Sequence, residues 1–195
     1  MKMKDLIWSA PNSLDFDFCD QVIEKFELDE RKSQGAVLSD SGFRLDPDYK
    51  ISMDLCISSL DEWKDEDEVF YKSLQSGIKQ YLDHCNNFNP ELVLGFYDQV
   101  HDTGYQIQRT SPGEYYNWHH DWICDEQNGS RIFTYIWYLN DISKAGETEF
   151  IDGTKIKPEQ GKLLIFPATW SYVHRGVSPK YETKYICTGW MYRSL

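Results

Sequence analysis

Basic charge is scarce in this chain. Lys and Arg number 20 against 32 Asp and Glu over 195 residues, a net charge of -12. Nucleic-acid-binding domains normally present a basic face to phosphate, so this balance argues against nucleic acid as a partner, and against anionic membranes. Long apolar runs are missing as well. No stretch approaches the roughly 20 apolar residues that a membrane helix needs. The opening Met1-Lys2-Met3-Lys4-Asp5 leads into no signal-like apolar core. Cysteine is sparse: Cys19, Cys56, Cys85, Cys124 and Cys187 are odd in number and form no CxxC pair. A disulfide scaffold is therefore disfavoured, and a reduced protein in the cytoplasm is the expectation. Internal repeats and low-complexity segments are absent, which argues against a solenoid.

Aromatic residues, by contrast, are plentiful, with 7 Trp, 13 Tyr and 10 Phe in a chain that is 41% hydrophobic. Such content suits a barrel or sandwich interior, or a pocket wall, and an ordinary core must account for most of it. The length suits one domain with a sizeable core. A short strand is expected around Leu6-Ile7-Trp8, then a turn at Pro11-Asn12-Ser13. Ser13 or Asp15 caps a predicted helix running to about Leu28, with Phe18, Val22, Ile23 and Phe26 as its apolar stripe. Residues 29–50 read as a long polar loop of the kind that forms lids. A strand over Lys50–Ser59 and a long helix from Asp61 to about Asn86 follow. Val69, Phe70, Leu74, Ile78 and Leu82 fall on one face of that helix, and its acidic start suits the helix dipole. His84 and Cys85 near its end read as capping or core residues.

After Pro90 the pattern changes. Tyr105–Thr110, Arg131–Asn140, Lys162–Pro167 and Lys184–Tyr192 are short runs of β-branched and aromatic residues, separated by Gly, Pro, Asp and Asn. The layout predicts an α+β chain, mainly β, with N-terminal helices packed on one face of a closed or two-sheet structure.

The segment Trp118-His119-His120-Asp121-Trp122 carries the chemistry. Side chains alternate along a strand, so His119 and Asp121 share a face while His120 points away. His174 lies one short loop beyond Gly161–Pro167. Two imidazoles and a carboxylate can hold one face of a transition metal and leave the opposite face open. A lone HxD is a short pattern; strand parity, the strand that follows and His174 are what raise it. Lys184 opens an otherwise apolar strand in which it shares a face with Ile186, Thr188 and Trp190. If it points inward it needs an anion, because an unpaired buried charge is costly. If the strand lies at an edge, the side chain snorkels to water.

The sequence His119-x-Asp121, then His174, then Lys184 ten residues later resembles the Fe(II)- and 2-oxoglutarate-dependent dioxygenases, and within them the prolyl 4-hydroxylase-like branch. Gly113-Glu114-Tyr115-Tyr116-Asn117-Trp118-His119, Tyr138-Leu139-Asn140, Gly146-Glu147-Thr148-Glu149-Phe150 and Gly161–Pro167 support the likeness, which covers about residues 100–192. The resemblance implies a distorted double-stranded β-helix, or jelly roll. It divides one dioxygenase domain, 1–195, into helical support and a substrate loop (1–99) and the metal-bearing core (100–195). It implies that His119, Asp121 and His174 ligate Fe(II), and that Lys184 pairs with the far carboxylate of 2-oxoglutarate. Tyr138 supports that contact, and Thr188 is a further cosubstrate candidate. Trp190 lines the site near the iron, and Arg109 is a candidate substrate contact with it. O2 is the second cosubstrate, and ascorbate is an auxiliary reductant that the likeness admits. The implied reaction is hydroxylation of an unactivated C–H bond, with succinate and carbon dioxide as coproducts. Asp121 argues against halogenation, since related halogenases carry a small residue there. Many relatives carry a tyrosine nine residues before the first histidine; this chain has Thr110. The expected substrate is a prolyl residue in a peptide or protein. A free amino acid or other small molecule, and a non-catalytic metal-binding module, are the alternatives. Oligomeric state is not legible. His120 and His101 are assigned no role at the metal.

Overall fold

The computed structural model describes residues 2–39, 42–89, 100–125 and 127–194. The sequence boundary at Pro90 lies outside them. In chain order the strands and helices are β1 (Trp8–Ala10), α1 (Phe16–Leu28), β2 (Ser33–Gln34), β3 (Val37–Ser39), β4 (Gly42–Arg44), β5 (Lys50–Ile51), β6 (Met53–Cys56), α2 (Lys64–Asn86), β7 (Val100–Asp102), β8 (Gln106–Thr110), β9 (Tyr115–His119), β10 (Cys124–Asp125), β11 (Gly129–Tyr138), β12 (Thr148–Phe150), β13 (Lys155–Ile156), β14 (Leu163–Pro167), β15 (His174–Gly176) and β16 (Lys184–Arg193). Short 3-10 turns precede β1 and α2.

All pairings are antiparallel. The larger sheet runs β1-β14-β11-β16-β8-β6-β2, with β10 joined to β11 and β7 to β16. The smaller runs β13-β12-β15-β9-β5. Their facing surfaces enclose a small core of Ile136, Tyr138, Phe150, Leu164, Phe166 and Tyr172. This is the two-sheet, jelly-roll-like architecture expected from the sequence, with helices on one outer face.

Period-two alternation decides which layer each side chain serves. On β11, Phe133, Tyr135 and Trp137 face the helices, while Ile136 and Tyr138 face the smaller sheet. On β14, Leu163 and Ile165 face the helices, and Leu164 and Phe166 the other sheet. The helices answer with their own apolar stripes. Cys19, Val22 and Phe26 of α1 and Phe70, Leu74, Ile78 and Leu82 of α2 are buried in that outer core. Each such side chain contributes ~1.5–3 kcal/mol through apolar area removed from water. Gly77 lets α2 approach closely: a Cβ there would stand 2.3 Å from Leu163 Cδ2. Asp15 starts α1 by accepting from the Asp17 and Phe18 amides at 2.9 and 3.3 Å. Asp65, Glu66 and Asp67 occupy the first turn of α2.

The first half departs from its sequence reading. Residues 29–50, expected as a loop, carry β2, the β3–β4 ribbon and the start of β5. The Lys50–Ser59 strand is broken into β5, which joins the smaller sheet, and β6, which joins the larger. Elements of two to four residues are too short to show a hydrophobic period, so their partners determine them. Among the described residues no helix is long and apolar enough to cross a membrane.

Candidate active site

β9 and β15 are neighbours in the smaller sheet, and their register sets His119 opposite His174. The ring centroids lie 4.2 Å apart. Asp121 reaches them from another direction. β9 ends at His119, so Asp121 belongs to the irregular segment behind it rather than to the same strand. Strand parity thus predicted the right residues, but the backbone turn after His119 brings the carboxylate round. His120 is exposed, as its phase requires. Asp121 Oδ1 stands 3.7 Å from His119 Nε2, and Oδ2 stands 3.6 Å from His174 Nε2. The three donor atoms lie within 4.8 Å of one another, and all three residues are buried.

Each ring is held by its other nitrogen. His119 Nδ1 lies 2.7 Å from the Asn117 carbonyl, and His174 Nδ1 lies 3.0 Å from that of Tyr172. A carbonyl only accepts, so Nδ1 carries a hydrogen in both rings, and a neutral ring held this way presents its lone pair at Nε2. Thr134, on β11, donates its hydroxyl to Asp121 Oδ2 at 2.7 Å. Burial and the adjacent His174 push the His119 imidazole well below its usual pKa. Burial alone would raise the Asp121 carboxyl. His174, His119, the Thr134 hydroxyl and Arg131 more than offset it and leave the group below its ordinary value. A neutral imidazole beside an ionised carboxylate is the protonation state that a cation requires.

A cavity runs inward from this cluster between the sheets. Gln108, Thr110, Thr148, Gly176, Lys184, Ile186 and Thr188 line it, as does Trp190, the register partner of the Thr134 that bonds Asp121. Lys184 is 4% exposed and donates to the Gly146 carbonyl at 3.0 Å. It sits opposite Thr110 in the β8–β16 register. The snorkelling alternative fails, because β16 lies inside the sheet between β11 and β8. Burial lowers the Lys184 ammonium to about 8, with Glu147 acting in the opposite sense.

The remaining sequence candidates divide. Trp190 lines the cavity, and the Arg131 guanidinium lies 3.8 Å over its ring. Thr188 lines the cavity, but its hydroxyl hydrogen goes to the Tyr135 carbonyl at 2.8 Å, leaving only lone pairs to offer. Tyr138 is fully buried behind the wall, with its hydroxyl 2.6 Å from Thr148 Oγ1, so Thr148 is the group that meets the cavity. Arg109, expected to contact substrate, is on the opposite face of β8 from Gln108 and Thr110. It pairs there with Glu27 of α1 at 3.1 Å. One step of strand parity separates it from the cavity. His101 stacks on Tyr192 at 6.1 Å. Sequence reasoning missed Thr134, Thr148, Gln108 and Arg131. The parity of β8 and β11 was the signal available for Gln108 and Thr134.

Comparison with known proteins bears on this geometry. The family model for the 2OG-Fe(II) oxygenase superfamily matches residues 105–192, which hold all three metal-type donors and the buried lysine. This likeness lies in the β half of the chain. A putative prolyl 4-hydroxylase of Acanthamoeba polyphaga mimivirus is 36% identical over 92 residues, which cover 42% of this chain and 35% of that protein. Prolyl 4-hydroxylase 1 of Arabidopsis thaliana is 28% identical over 114 residues, covering 44% of this chain and 39% of the relative. The chain therefore matches well under half the length of these curated relatives. Solved structures extend the likeness of fold to nearly the whole chain. The viral collagen prolyl hydroxylase of Paramecium Bursaria Chlorella virus-1, solved as a 2OG complex, superposes with a TM-score of 0.64 at 21% identity, covering 96% of each chain. A Trichoplax adhaerens prolyl hydroxylase, in complex with a hypoxia inducible factor peptide fragment, gives 0.71 at 19% identity, covering 97% of this chain and 84% of that one.

The cofactors of a 2OG-Fe(II) oxygenase are Fe(II) and 2-oxoglutarate, and the residues present fit both. Two Nε2 lone pairs and a carboxylate form a donor set suited to iron, and they cover only one side of the ion. A buried ammonium bonded to one carbonyl retains donors for a carboxylate.

Proposed function

We propose that this chain is a dioxygenase that hydroxylates an unactivated C–H bond using Fe(II), 2-oxoglutarate and O2, with a prolyl residue in a peptide or protein as substrate. The observation that carries the reading is the two-ended cavity, with a buried His119–Asp121–His174 cluster at one end and the buried, single-bonded Lys184 at the other. In this reading His119, Asp121 and His174 hold Fe(II). Lys184 binds the far carboxylate of 2-oxoglutarate, aided by the Thr148 hydroxyl that Tyr138 orients. Thr134 keeps Asp121 turned toward the imidazoles. The bound cofactors supply the oxidising chemistry, in which 2-oxoglutarate loses carbon dioxide to become succinate. The chain's own part is to order the ligands, exclude water and present the C–H bond.

A peptide substrate is supported by the surface outside the cavity. An open groove reaches from Phe43 and Tyr49 past His119 and Asp121 to Trp122, Arg131 and Trp190. Its volume of about 810 Å³ exceeds what a free amino acid would occupy. The peptide-bound Trichoplax relative and the prolyl 4-hydroxylase names of the matched proteins point the same way. We also take residues 1–195 as one working unit, because β5 and β6 extend the sheets that carry the site.

The test is a succinate-release screen of the Fe(II)-loaded protein against proline-containing peptides and free amino acids, with mass detection of a product 16 units heavier. Hydroxylated peptide supports the reading. Product only from free amino acids moves the substrate class. Failure to bind Fe(II) and 2-oxoglutarate under anaerobic conditions, with no visible charge-transfer band, leaves a non-catalytic fold.

A further inference from the structure

We propose that Lys50 is a positioning residue for His119, acting through the ring of Tyr116. The proposal rests on reading His119 as a metal ligand.

Lys50 and Asp54 form an ion pair at 2.7 Å with side chains only 4% and 5% exposed. Ser52 donates to the other Asp54 oxygen at 2.8 Å. Gly35 roofs the pair closely enough that a Cβ there would stand 2.9 Å from Lys50 Cε and 3.0 Å from Asp54 Oδ2. A buried pair of this kind is poor value as a stabiliser, since its desolvation cancels much of its attraction. Its place in the fold suggests another use. The Lys50 ammonium lies 5.0 Å from the centre of the Tyr116 ring, within cation–π range. Tyr116 in turn stacks on the His119 imidazole at 3.6 Å and 10°. Lys50 is the register partner of Tyr116 across β5 and β9. Tyr49 fastens the same strand twice: its carbonyl accepts from the Asn117 amide at 2.8 Å, and its hydroxyl donates to the Trp118 carbonyl at 2.9 Å. The Asn117 carbonyl is the group that holds His119 Nδ1. Residues 49–54 therefore clamp the backbone and the ring that together orient the first imidazole.

The experiment titrates the full chain with Co(II) as the probe, recording affinity and the visible d–d spectrum. Wild type is expected to bind one Co(II), and His119→Ala to lose it; retention by His119→Ala would sink the ligand reading itself. With that reading secure, Lys50→Met is expected to weaken Co(II) binding by about tenfold, as for other groups that orient metal ligands, and to alter the d–d band. Lys50→Arg should restore most of the affinity. Tyr116→Leu should have a similar effect, and combining it with Lys50→Met should add little further loss. If Lys50→Met does not fold, Lys50→Met/Asp54→Leu removes both charges and serves for the same readouts. Wild-type affinity and spectrum in Lys50→Met or in Lys50→Met/Asp54→Leu would overturn the proposal, as would full additivity of Lys50→Met with Tyr116→Leu.

Discussion

Thr134 donates its hydroxyl to Asp121 Oδ2 at 2.7 Å, from a strand of the larger sheet to the irregular segment that follows β9. This bond ties the carboxylate to a rigid element. Without it Asp121 would depend on a stretch with no strand pairing of its own. Its second oxygen faces His119 and remains available.

Thr134→Val keeps the shape of the side chain and removes the donor. Under the proposed assignment, metal affinity should fall by ~10-fold, the lower end of the range for partners of metal ligands. The fold should survive, because one hydrogen bond contributes about 1 kcal/mol. Co(II) titration beside a thermal melt checks both. Unchanged affinity would show that Asp121 is oriented by its backbone alone.

Much of this geometry was legible in the sequence. Period-two alternation placed Lys184, Ile186, Thr188 and Trp190 on the cavity face of β16, and separated His119 from His120. The apolar stripe of α1 and the run Phe70–Leu82 of α2 pack where their spacing directs. The same rule, applied to β8, would have turned Arg109 away from the cavity and Gln108 and Thr110 toward it. Other features were hidden for physical reasons. β2, β5 and β6 are too short for a period and owe their form to partners far along the chain. The Thr134–Asp121 and Lys50–Tyr116 contacts link separate strands, and no local spacing encodes them.

His174 and His120 offer a paired test. His174→Ala should abolish metal binding and succinate formation in the proposed enzyme, since it removes one of three donors from a buried cluster. His120→Ala removes an exposed ring one position out of phase and should leave both unchanged. Metal titration and succinate release in the two variants decide the matter. Equal losses would mean that the backbone around His119 is mobile enough to exchange ligands.

Arg109→Ala breaks the ion pair with Glu27, whose other oxygen accepts from the Tyr185 hydroxyl at 2.9 Å. The pair is partly solvated, so stability should drop by ~1 kcal/mol or less. Turnover and the 2-oxoglutarate requirement should stay at wild-type values, because the side chain lies behind the sheet. Steady-state kinetics and a denaturant midpoint suffice as checks. A raised requirement for 2-oxoglutarate would return Arg109 to the site.

Lys184 provides a prediction in pH. Burial lowers its pKa from 10.5 to about 8 in the folded chain without cofactors. Below about 8 the group is charged whether the chain is folded or unfolded, and folding carries the full cost of burying that charge. Above 10.5 it is neutral in both states and the cost is gone. The cofactor-free protein should therefore gain stability from this group as pH rises from about 8 to 10.5, by up to roughly 3 kcal/mol. Lys184→Met should remove that gain, so the difference between the two stability curves should narrow across the window; urea unfolding at several pH values measures it. Binding of 2-oxoglutarate should show the opposite slope. The proposed contact needs the ammonium, so affinity should weaken above pH 8, approaching a tenfold loss per pH unit until the complex itself loses the proton. Calorimetry of the Mn(II)-loaded protein between pH 7 and 9.5 would measure this, and Lys184→Met should bind weakly at every pH. A flat wild-type profile would place the carboxylate partner elsewhere in the cavity.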